Sequence, residues 1–150
     1  TFSLGSSNAA MTVNLRVCRN SLGISDKICS FSIPLGATVN MDGSCVYMAV
    51  AALFLARIYG VAITSANMMA MVFSIFVLSI GAPGIPGSGL ICLSVLLVQV
   101  GIPVESIGLI IGIDPVIGMM RAASNCTGDV AVTLAVAKTE NLLDLERYNS

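Results

Sequence analysis

Four polar side chains interrupt the long apolar stretch near the end of the chain. Their spacing would place them on one face of a helix. They are Asp114, Arg121, Asn125 and Asp129. Residues seven apart differ by only about 20° in direction around a helix, and residues four apart are also neighbours. An arginine can hold a carboxylate through two parallel hydrogen bonds, and an aspartate oxygen can hold a cation. The pattern predicts a buried stripe that lines a ligand path, and the alternative is a structural ladder of ion pairs between helices.

A second polar group, Asn40-Met41-Asp42-Gly43, separates the apolar stretches Ile28–Val39 and Ser44–Tyr59. Together the two stretches are long enough to span a bilayer. A carboxylate in mid-membrane costs from about 2.5 kcal/mol upward, and a broken helix is tolerated there only where its backbone lines a cavity. The pattern predicts a binding site made of unwound backbone and Asp42. The alternative is a kinked span in which Asp42 pairs with a buried cation.

The third irregular segment, from Gly81 to Gly89, contains four glycines and two prolines. It separates the apolar runs Thr64–Ile80 and Leu90–Val100, each shorter than the roughly 20 residues of a full span. Two short apolar helices around such a tip predict a re-entrant hairpin, which is a pointer to a transporter's binding site. Two marginal spans joined by an ordinary loop are the alternative.

The composition predicts that the helices which position these polar side chains are those of an integral membrane protein. The 150 residues are 56% hydrophobic and 10% charged, whereas soluble domains carry about 25% charged residues. No Lys, Arg, Asp or Glu occurs from Ile58 to Val104. The apolar residues exceed what one core of this size can bury, so lipid or a large partner must cover the rest.

Several functions are disfavoured by what the sequence lacks. There is no histidine, and the five cysteines show no CxxC spacing, which argues against a zinc site. No basic patch with interleaved aromatic residues is present, so nucleic acid is not an expected partner. Neither a GxSxG motif nor a P-loop occurs, so we do not expect an enzyme.

The basic residues predict an orientation. Arg16, Arg19 and Lys27 flank the first turn, and Lys138 and Arg147 flank the end of the chain. By the positive-inside rule, the first turn and the C-terminus are expected to be cytoplasmic. The predicted location is the cell membrane, plasma or bacterial inner, with several crossings.

The motifs together resemble the glutamate transporter family, the dicarboxylate/amino acid:cation symporters. The resemblance rests on Ser6-Ser7, Pro34–Gly43, Gly84–Gly87 and Arg121–Asp129, in order and at matching spacing. It implies an all-α membrane protein with re-entrant helical hairpins and broken transmembrane helices. The implied division is the end of hairpin 1 with a cytoplasmic turn (1–27), broken transmembrane helix 7 (28–60), re-entrant hairpin 2 (61–103), transmembrane helix 8 (104–140) and a cytoplasmic tail (141–150).

The resemblance also implies a substrate site. Its residues would be Ser6, Ser7, Ser44, Ile85, Gly89, Arg121 and Asn125. Ser6, Ser7 and Asn125 would hold the main carboxylate of the substrate, and Arg121 would clamp its side-chain carboxylate. Ser44 would add a hydroxyl, while Ile85 and Gly89 would contribute backbone at the tip of hairpin 2, the outer gate.

Two or three Na⁺ sites are implied in the same way. One would use Asp129 with the carbonyls of Gly36, Asn40 and Asn125. A second would use the backbone oxygens of Thr38, Ser79, Ile80 and Ala82. A third, incomplete in this chain, would use Asp42 and the Asn40 side chain.

This chain departs from the family pattern at the substrate site. Gly118 stands three residues before Arg121, where amino acid carriers have the aspartate that receives the substrate's ammonium group. Gly5, Ser44 and Ala122 also replace the usual Arg, Thr and Thr. Because a buried ammonium without a partner is costly, these changes favour a C4-dicarboxylate as the substrate.

The predicted function is cation-coupled symport of a small carboxylate by an elevator mechanism, with Na⁺ as the expected ion. An acidic or neutral amino acid:Na⁺ symporter is one alternative, and a truncated membrane assembly unit that does not transport is another. Helices 1 to 6 of the family pattern are absent from these residues. With that scaffold present, the resemblance implies a homotrimer; the other expected partners are the small anionic substrate and membrane lipid.

Overall fold

The chain folds into helices joined by short turns. The computed structural model describes residues 2–82 and 84–149, so Pro83 of the predicted hairpin tip lies outside the described residues, as do Thr1 and Ser150. The described α-helices are α1 (Ser7–Asn20), α2 (Asp26–Val39), α3 (Asp42–Ile58), α4 (Ser65–Gly81), α5 (Ser88–Gln99), α6 (Asp114–Thr139) and α7 (Leu145–Tyr148). Helix makes up 77% of the structure, and the described residues form no strand. The all-α prediction therefore holds.

The interruption at residues 40 and 41 lies between α2 and α3. α2 ends at Val39 and α3 begins at Asp42. The Asp42 carboxylate therefore lies in the first turn of α3, where it interacts favourably with the helix dipole. Asp42 is exposed within this chain, and its predicted role in a binding site stays a prediction.

α4 and α5 form a helical pair around the Gly/Pro segment. Thr64 caps the start of α4 by accepting a hydrogen bond from Asn67 N, at 3.2 Å. Gly87 precedes α5 with φ at 81°, a left-handed conformation that glycine adopts without steric cost. The two helices contact each other, and both contact α3. Their re-entry into a membrane from one side stays a prediction.

The last long helix is shorter than the sequence predicted. A helix was expected from about Val104, but residues Val104–Leu109 form a 3₁₀ helix and α6 begins at Asp114. Gly108 and Gly112 weaken a continuous α-helix, and Pro115 suits a first turn because it has no N–H to donate. The four residues of the predicted stripe nevertheless all lie within α6 and are all buried.

α6 is the central element, because it packs against α1, α2 and α3. Two separate hydrophobic clusters surround it. One joins α3, α4 and α5 through residues such as Met48, Leu55, Leu93 and Leu96. The other joins α1, α2 and the end of α6 through Cys18, Cys29, Ile33 and Ala137. The buried polar residues of α6 lie between these clusters along the helix.

Large apolar faces stay uncovered within this chain. α4 exposes Met69, Phe73 and Phe76, and α5 exposes Ile91 and Val98, each by more than half of its surface. The stretch Asp26–Ile58, which joins α2 and α3, is long and apolar enough to cross a membrane. These faces agree with the expectation from composition that lipid or further protein covers the excess apolar surface.

Candidate functional site

The Arg121 guanidinium is buried against three neighbours. It stacks on the Tyr47 ring, with its central carbon 4.4 Å from the ring centroid. Its Nη1 lies 3.7 Å from Asp114 Oδ1, and both side chains are at least nine-tenths buried. It also lies so close to Gly89, at the start of α5, that a Cβ there would overlap it. α3, α5 and α6 thus together fix the position of the buried, positively charged Arg121 guanidinium.

A second polar centre surrounds Asp129, which is 2% exposed. Asn40 Nδ2 donates to Asp129 Oδ1 at 3.0 Å and lies 3.3 Å from the Asn125 carbonyl oxygen. Gly36 touches the same carboxylate so closely that no side chain fits there. The residues of the predicted first cation set, Gly36, Asn40, Asn125 and Asp129, are therefore neighbours, and the convergence of their carbonyl oxygens on one cation stays a prediction.

The other oxygen of this carboxylate, Asp129 Oδ2, is buried and has no hydrogen-bond partner among the described residues. Beside it lies a cavity of about 170 Å³, whose lining includes Gly36, Asn40 and Asp129. A buried carboxylate is stable as an anion only when it is paired. Oxygen ligands with one negative charge suit a small monovalent cation, so this centre fits the predicted Na⁺.

Asn125 connects the α2–α3 break to α6. Its Oδ1 accepts a hydrogen bond from Gly43 N at 2.8 Å, and its Nδ2 lies 3.1 Å from the Met41 sulfur. One side chain thus fixes the start of α3 relative to the stripe. Because Asn125 lies one turn from Arg121 and one turn from Asp129, it joins the two polar centres.

The start of α1 meets the Gly/Pro segment. Ser6 Oγ donates to the Gly84 carbonyl at 2.6 Å, and Asn8 N donates to the same oxygen at 3.3 Å. Ser6 Oγ also accepts from Ala9 N at 3.2 Å, which caps α1. The predicted hairpin tips are therefore in contact, and the Ser6 hydroxyl is engaged in that contact. Ser7 is buried close to the Cys126 thiol.

Comparison with known proteins shows the family of the chain. The model of the sodium:dicarboxylate symporter family matches residues 1–139. The chain belongs to this family. The family is one of transporters, which fits the absence of enzyme motifs.

Individual relatives cover most of the chain. Excitatory amino acid transporter 2 of Mus musculus is 38% identical over 128 residues, which is 84% of this chain and 22% of the relative. The proton/sodium-glutamate symport protein of Bacillus subtilis is 35% identical over 82% of the chain and 29% of its own length. The proton/glutamate-aspartate symporter of Escherichia coli is 36% identical over 80% of the chain and 28% of its own length. The chain thus spans about a quarter of the length of these relatives.

Other expected site residues have contacts that do not test their predicted roles. Ser44 Oγ lies 4.0 Å from the Met41 sulfur, and Ile85 is half exposed. The hydroxyls of Thr38 and Ser79 bond to carbonyls of their own helices, at Pro34 and Phe76. α2 and α4 are in contact, but the convergence of the Thr38, Ser79, Ile80 and Ala82 backbone oxygens on one cation stays a prediction.

The third expected cation set is partly assembled. Asn40 and Asp42 both approach Gly128 of α6: a Cβ there would lie 3.3 Å from Asp42 Oδ2 and closer still to Asn40 Nδ2. A glycine is therefore needed at this position of α6. Asp42 is exposed within this chain, and the third cation site stays a prediction.

Sequence reasoning did not predict one neighbour of Arg121, Tyr47. Asp114 was placed beside Arg121 on the stripe but given no ligand role. Tyr47 lies on the buried face of α3 with Met48 and Ala51. An aromatic residue on that face, opposite a buried arginine, was the available clue, because guanidinium groups stack on aromatic rings.

Replacing Gly89 by alanine is expected to weaken substrate binding at least about tenfold. The added methyl group would displace the Arg121 guanidinium, and a small displacement of a group that holds the substrate is costly. Isothermal calorimetry on the purified variant measures the change. Gly81→Ala is the matched control, since a Cβ at Gly81 meets nothing within 4 Å. Equal affinities of the two variants would contradict a role for Arg121 at this place.

Proposed function

We propose that the protein containing this chain is a cation-coupled symporter of a small carboxylate, with Na⁺ as the coupled ion. The observation that carries the proposal is the burial of Arg121, Asn125 and Asp129 on one face of α6. That face meets the α2–α3 break, so an anion-binding group and a cation-binding group share one rigid helix. Membership of a symporter family supports the same function.

The coupling follows from this shared helix. Na⁺ at Asp129 would fix Asn40, whose amide also contacts the Asn125 carbonyl. Asn125 in turn lies beside the substrate position at Arg121. An ion and a substrate that order the same residues bind cooperatively, because each removes part of the ordering cost of the other.

The contact of Ser6 with Gly84 supports the gating part of the proposal. With the two tips joined, the substrate position would be closed, and movement of the Gly/Pro segment would open it. The proposal includes an elevator movement of this domain within a homotrimer in the plasma or bacterial inner membrane. The proposal also includes a cytoplasmic C-terminus, which the basic residues predict.

The substrate class has two candidates. Gly118 favours a C4-dicarboxylate, because the position lacks a carboxylate for an ammonium group. The names of the relatives favour an acidic amino acid. Both candidates have a carboxylate for Arg121, so both agree with the arrangement of the site.

Calorimetric binding to the purified protein in detergent tests the proposal, with succinate and L-aspartate, each in NaCl and in choline chloride. Binding of either ligand that requires Na⁺ is the expected result. Binding that is equally strong in choline would overturn the cation coupling. No binding of either ligand would favour the third possibility, a membrane assembly unit that does not transport.

A further inference from the structure

Helices α2 and α6 meet through three pairs of residues that are spaced one turn apart on both helices. The pairs are Asn40 with Asn125, Gly36 with Asp129, and Ser32 with Thr133. Residues four apart lie on the same face of a helix, so the two helices run in opposite directions along one contact surface. The first two pairs belong to the cation centre, whereas the third lies one turn beyond it.

The third pair is a bond between two hydroxyl groups. Thr133 is fully buried, and its Oγ1 donates to the Asp129 carbonyl oxygen at 2.6 Å. A hydroxyl has one proton to donate, so Ser32 is the donor of the other bond, in which its Oγ lies 2.7 Å from Thr133 Oγ1. A chain of hydrogen bonds therefore runs from Ser32 on α2 through Thr133 to the backbone of Asp129.

This hydroxyl pair lies between a packed apolar cluster and the cavity of the cation centre. On one side, Cys29, Ile33 and Ala137 are fully buried in the cluster that joins α1, α2 and the end of α6. On the other side, the cavity of about 170 Å³ beside Asp129 includes Ser32 in its lining. Packed interiors are hardly compressible, so a bond at this boundary fixes the separation of the two helices where the cavity begins.

The separation of the helices matters because both of them carry residues of the cation centre. Gly36 and Asn40 belong to α2, and Asp129, whose Oδ2 has no hydrogen-bond partner among the described residues, belongs to α6. Oxygen ligands hold a small cation at narrowly defined distances, and groups that orient the ligands affect cation affinity without touching the ion. A shift of α2 would therefore weaken cation binding although every ligand residue was still present.

We propose that Ser32 and Thr133 are positioning residues, which hold α2 against α6 at the separation that the cation centre requires. The inference rests on the proposed symport function, in which Na⁺ binds at Asp129. It assigns a role in ion affinity to two hydroxyl groups that lie beyond the ligand residues.

The competing explanation is that the hydroxyl pair only contributes to the stability of the fold. Its loss would then lower the melting temperature and the amount of active protein. The Na⁺ concentration at half-maximal substrate binding, the Na⁺ midpoint, would stay the same, because it does not depend on how many molecules are active.

The test uses Thr133→Val, which replaces the hydroxyl by a methyl group of similar size. Calorimetric titrations with L-aspartate and with succinate, at several Na⁺ concentrations and with choline keeping the ionic strength constant, give the Na⁺ midpoint. We expect it to rise about tenfold, while substrate affinity at saturating Na⁺ stays unchanged. Thr133→Ser keeps the hydroxyl and should restore the midpoint. An unchanged midpoint in the valine variant, or failure of serine to restore it, would overturn the proposal.

Two further variants separate the pair from its surroundings. Thr139→Val is the matched control, because it removes a hydroxyl that bonds to a carbonyl of α6 at an exposed position, and its midpoint should stay unchanged. Ser32→Ala should raise the midpoint as Thr133→Val does. The double variant should add little, since both changes break the same bond. Fully additive effects would contradict a role that depends on the pair.

Hydrogen exchange in choline chloride measures the position of α2 without any cation. The Asn40 amide donates to the Gly36 carbonyl at 2.8 Å, so mass spectrometry of peptides over residues 36–40 reports on this end of α2. Thr133→Val should accelerate exchange there by at least about threefold, and Thr139→Val should not. A raised Na⁺ midpoint with unchanged exchange would overturn the positioning role.

The outcome for the unmodified protein distinguishes this inference from the symport function. If the unmodified protein bound neither ligand, or bound one equally well without Na⁺, the symport function would fail and this inference with it. Na⁺-dependent binding with the same midpoint in the unmodified protein and in Thr133→Val would overturn this inference alone.

Discussion

Replacing Arg121 by alanine is expected to abolish substrate binding. This loss is the larger of the two strongest effects that the structure predicts. Among the described residues that line a cavity of about 500 Å³ between α3 and α6, Arg121 is the one with a charged side chain. Truncating one member of a buried charge pair costs about 2 kcal/mol or more, which is a loss on the order of 30-fold in affinity. Calorimetry with the ligand that the unmodified protein binds measures it.

The alanine variant alone leaves the Asp114 carboxylate buried without its partner. Part of any effect could therefore be loss of the fold. Arg121→Ala/Asp114→Asn removes both charges and keeps the site neutral, so it should fold better than the single variant and still fail to bind. Recovery of substrate binding in the double variant would show that Arg121 is needed for structure rather than for the ligand.

Arg121→Lys distinguishes charge from shape. Lysine keeps the positive charge but loses the planar fork that holds a carboxylate through two bonds and stacks on Tyr47. Affinity should lie between those of arginine and alanine. A lysine variant as strong as the unmodified protein would mean that a point charge suffices, and would contradict the bidentate clamp.

The sequence predicted which helices form better than it predicted where some of them begin. Apolar runs and the Gly/Pro segment predicted α2 to α5 within about two residues, because burial and helix breakers act locally. The start of α6 was missed by ten residues: Val104 was expected and Asp114 is observed. A 3₁₀ helix has the same apolar composition as an α-helix, so composition does not distinguish the two.

The stripe on α6 was predictable because a helix has a fixed period. Asp114, Arg121, Asn125 and Asp129 are buried together on α6 as expected. Their partners came from other helices, and the contact of Tyr47 with Arg121 depends on how α3 crosses α6. That crossing is set by the packing of the whole cluster, which no local pattern encodes.

A cation site at Asp129 is predicted only through the family resemblance. Asn40 and Asp129 are 89 residues apart in sequence, so no spacing rule joins them. For Ser6 the resemblance implies a ligand contact, which stays a prediction; the structure adds that its hydroxyl bonds to the Gly84 carbonyl and caps α1. A residue type suggests a chemistry, but the neighbouring elements decide which partner it meets.

Replacing Asp129 by asparagine is expected to abolish the Na⁺ dependence of substrate binding. The change keeps the shape of the side chain and removes the charge next to Asn40 and Gly36. Neutral oxygen ligands alone hold a monovalent cation weakly, so cation affinity should fall by at least about tenfold. Substrate titrations at several Na⁺ concentrations, with choline keeping the ionic strength constant, measure the change.

The same substitution should change stability in opposite directions with and without Na⁺. In choline, the unmodified protein carries a buried carboxylate oxygen with no hydrogen-bond partner among the described residues, which is costly. Asp129→Asn replaces the buried charge by a neutral amide, which costs less to bury, and should raise the melting temperature in choline. In NaCl the unmodified protein gains binding energy that the variant lacks, so the order should reverse.

This reversal separates a cation site from a structural carboxylate. Asp26→Asn is the matched control, because Asp26 is exposed and paired with Arg19, and its loss should shift the melting temperature equally in both salts. A carboxylate that served only to hold Asn40 would lose the same stability in NaCl and in choline when replaced. Parallel shifts for Asp129→Asn would therefore contradict Na⁺ binding at this residue, even if substrate affinity were lost, whereas crossing curves require a cation that contacts Asp129 in the folded protein.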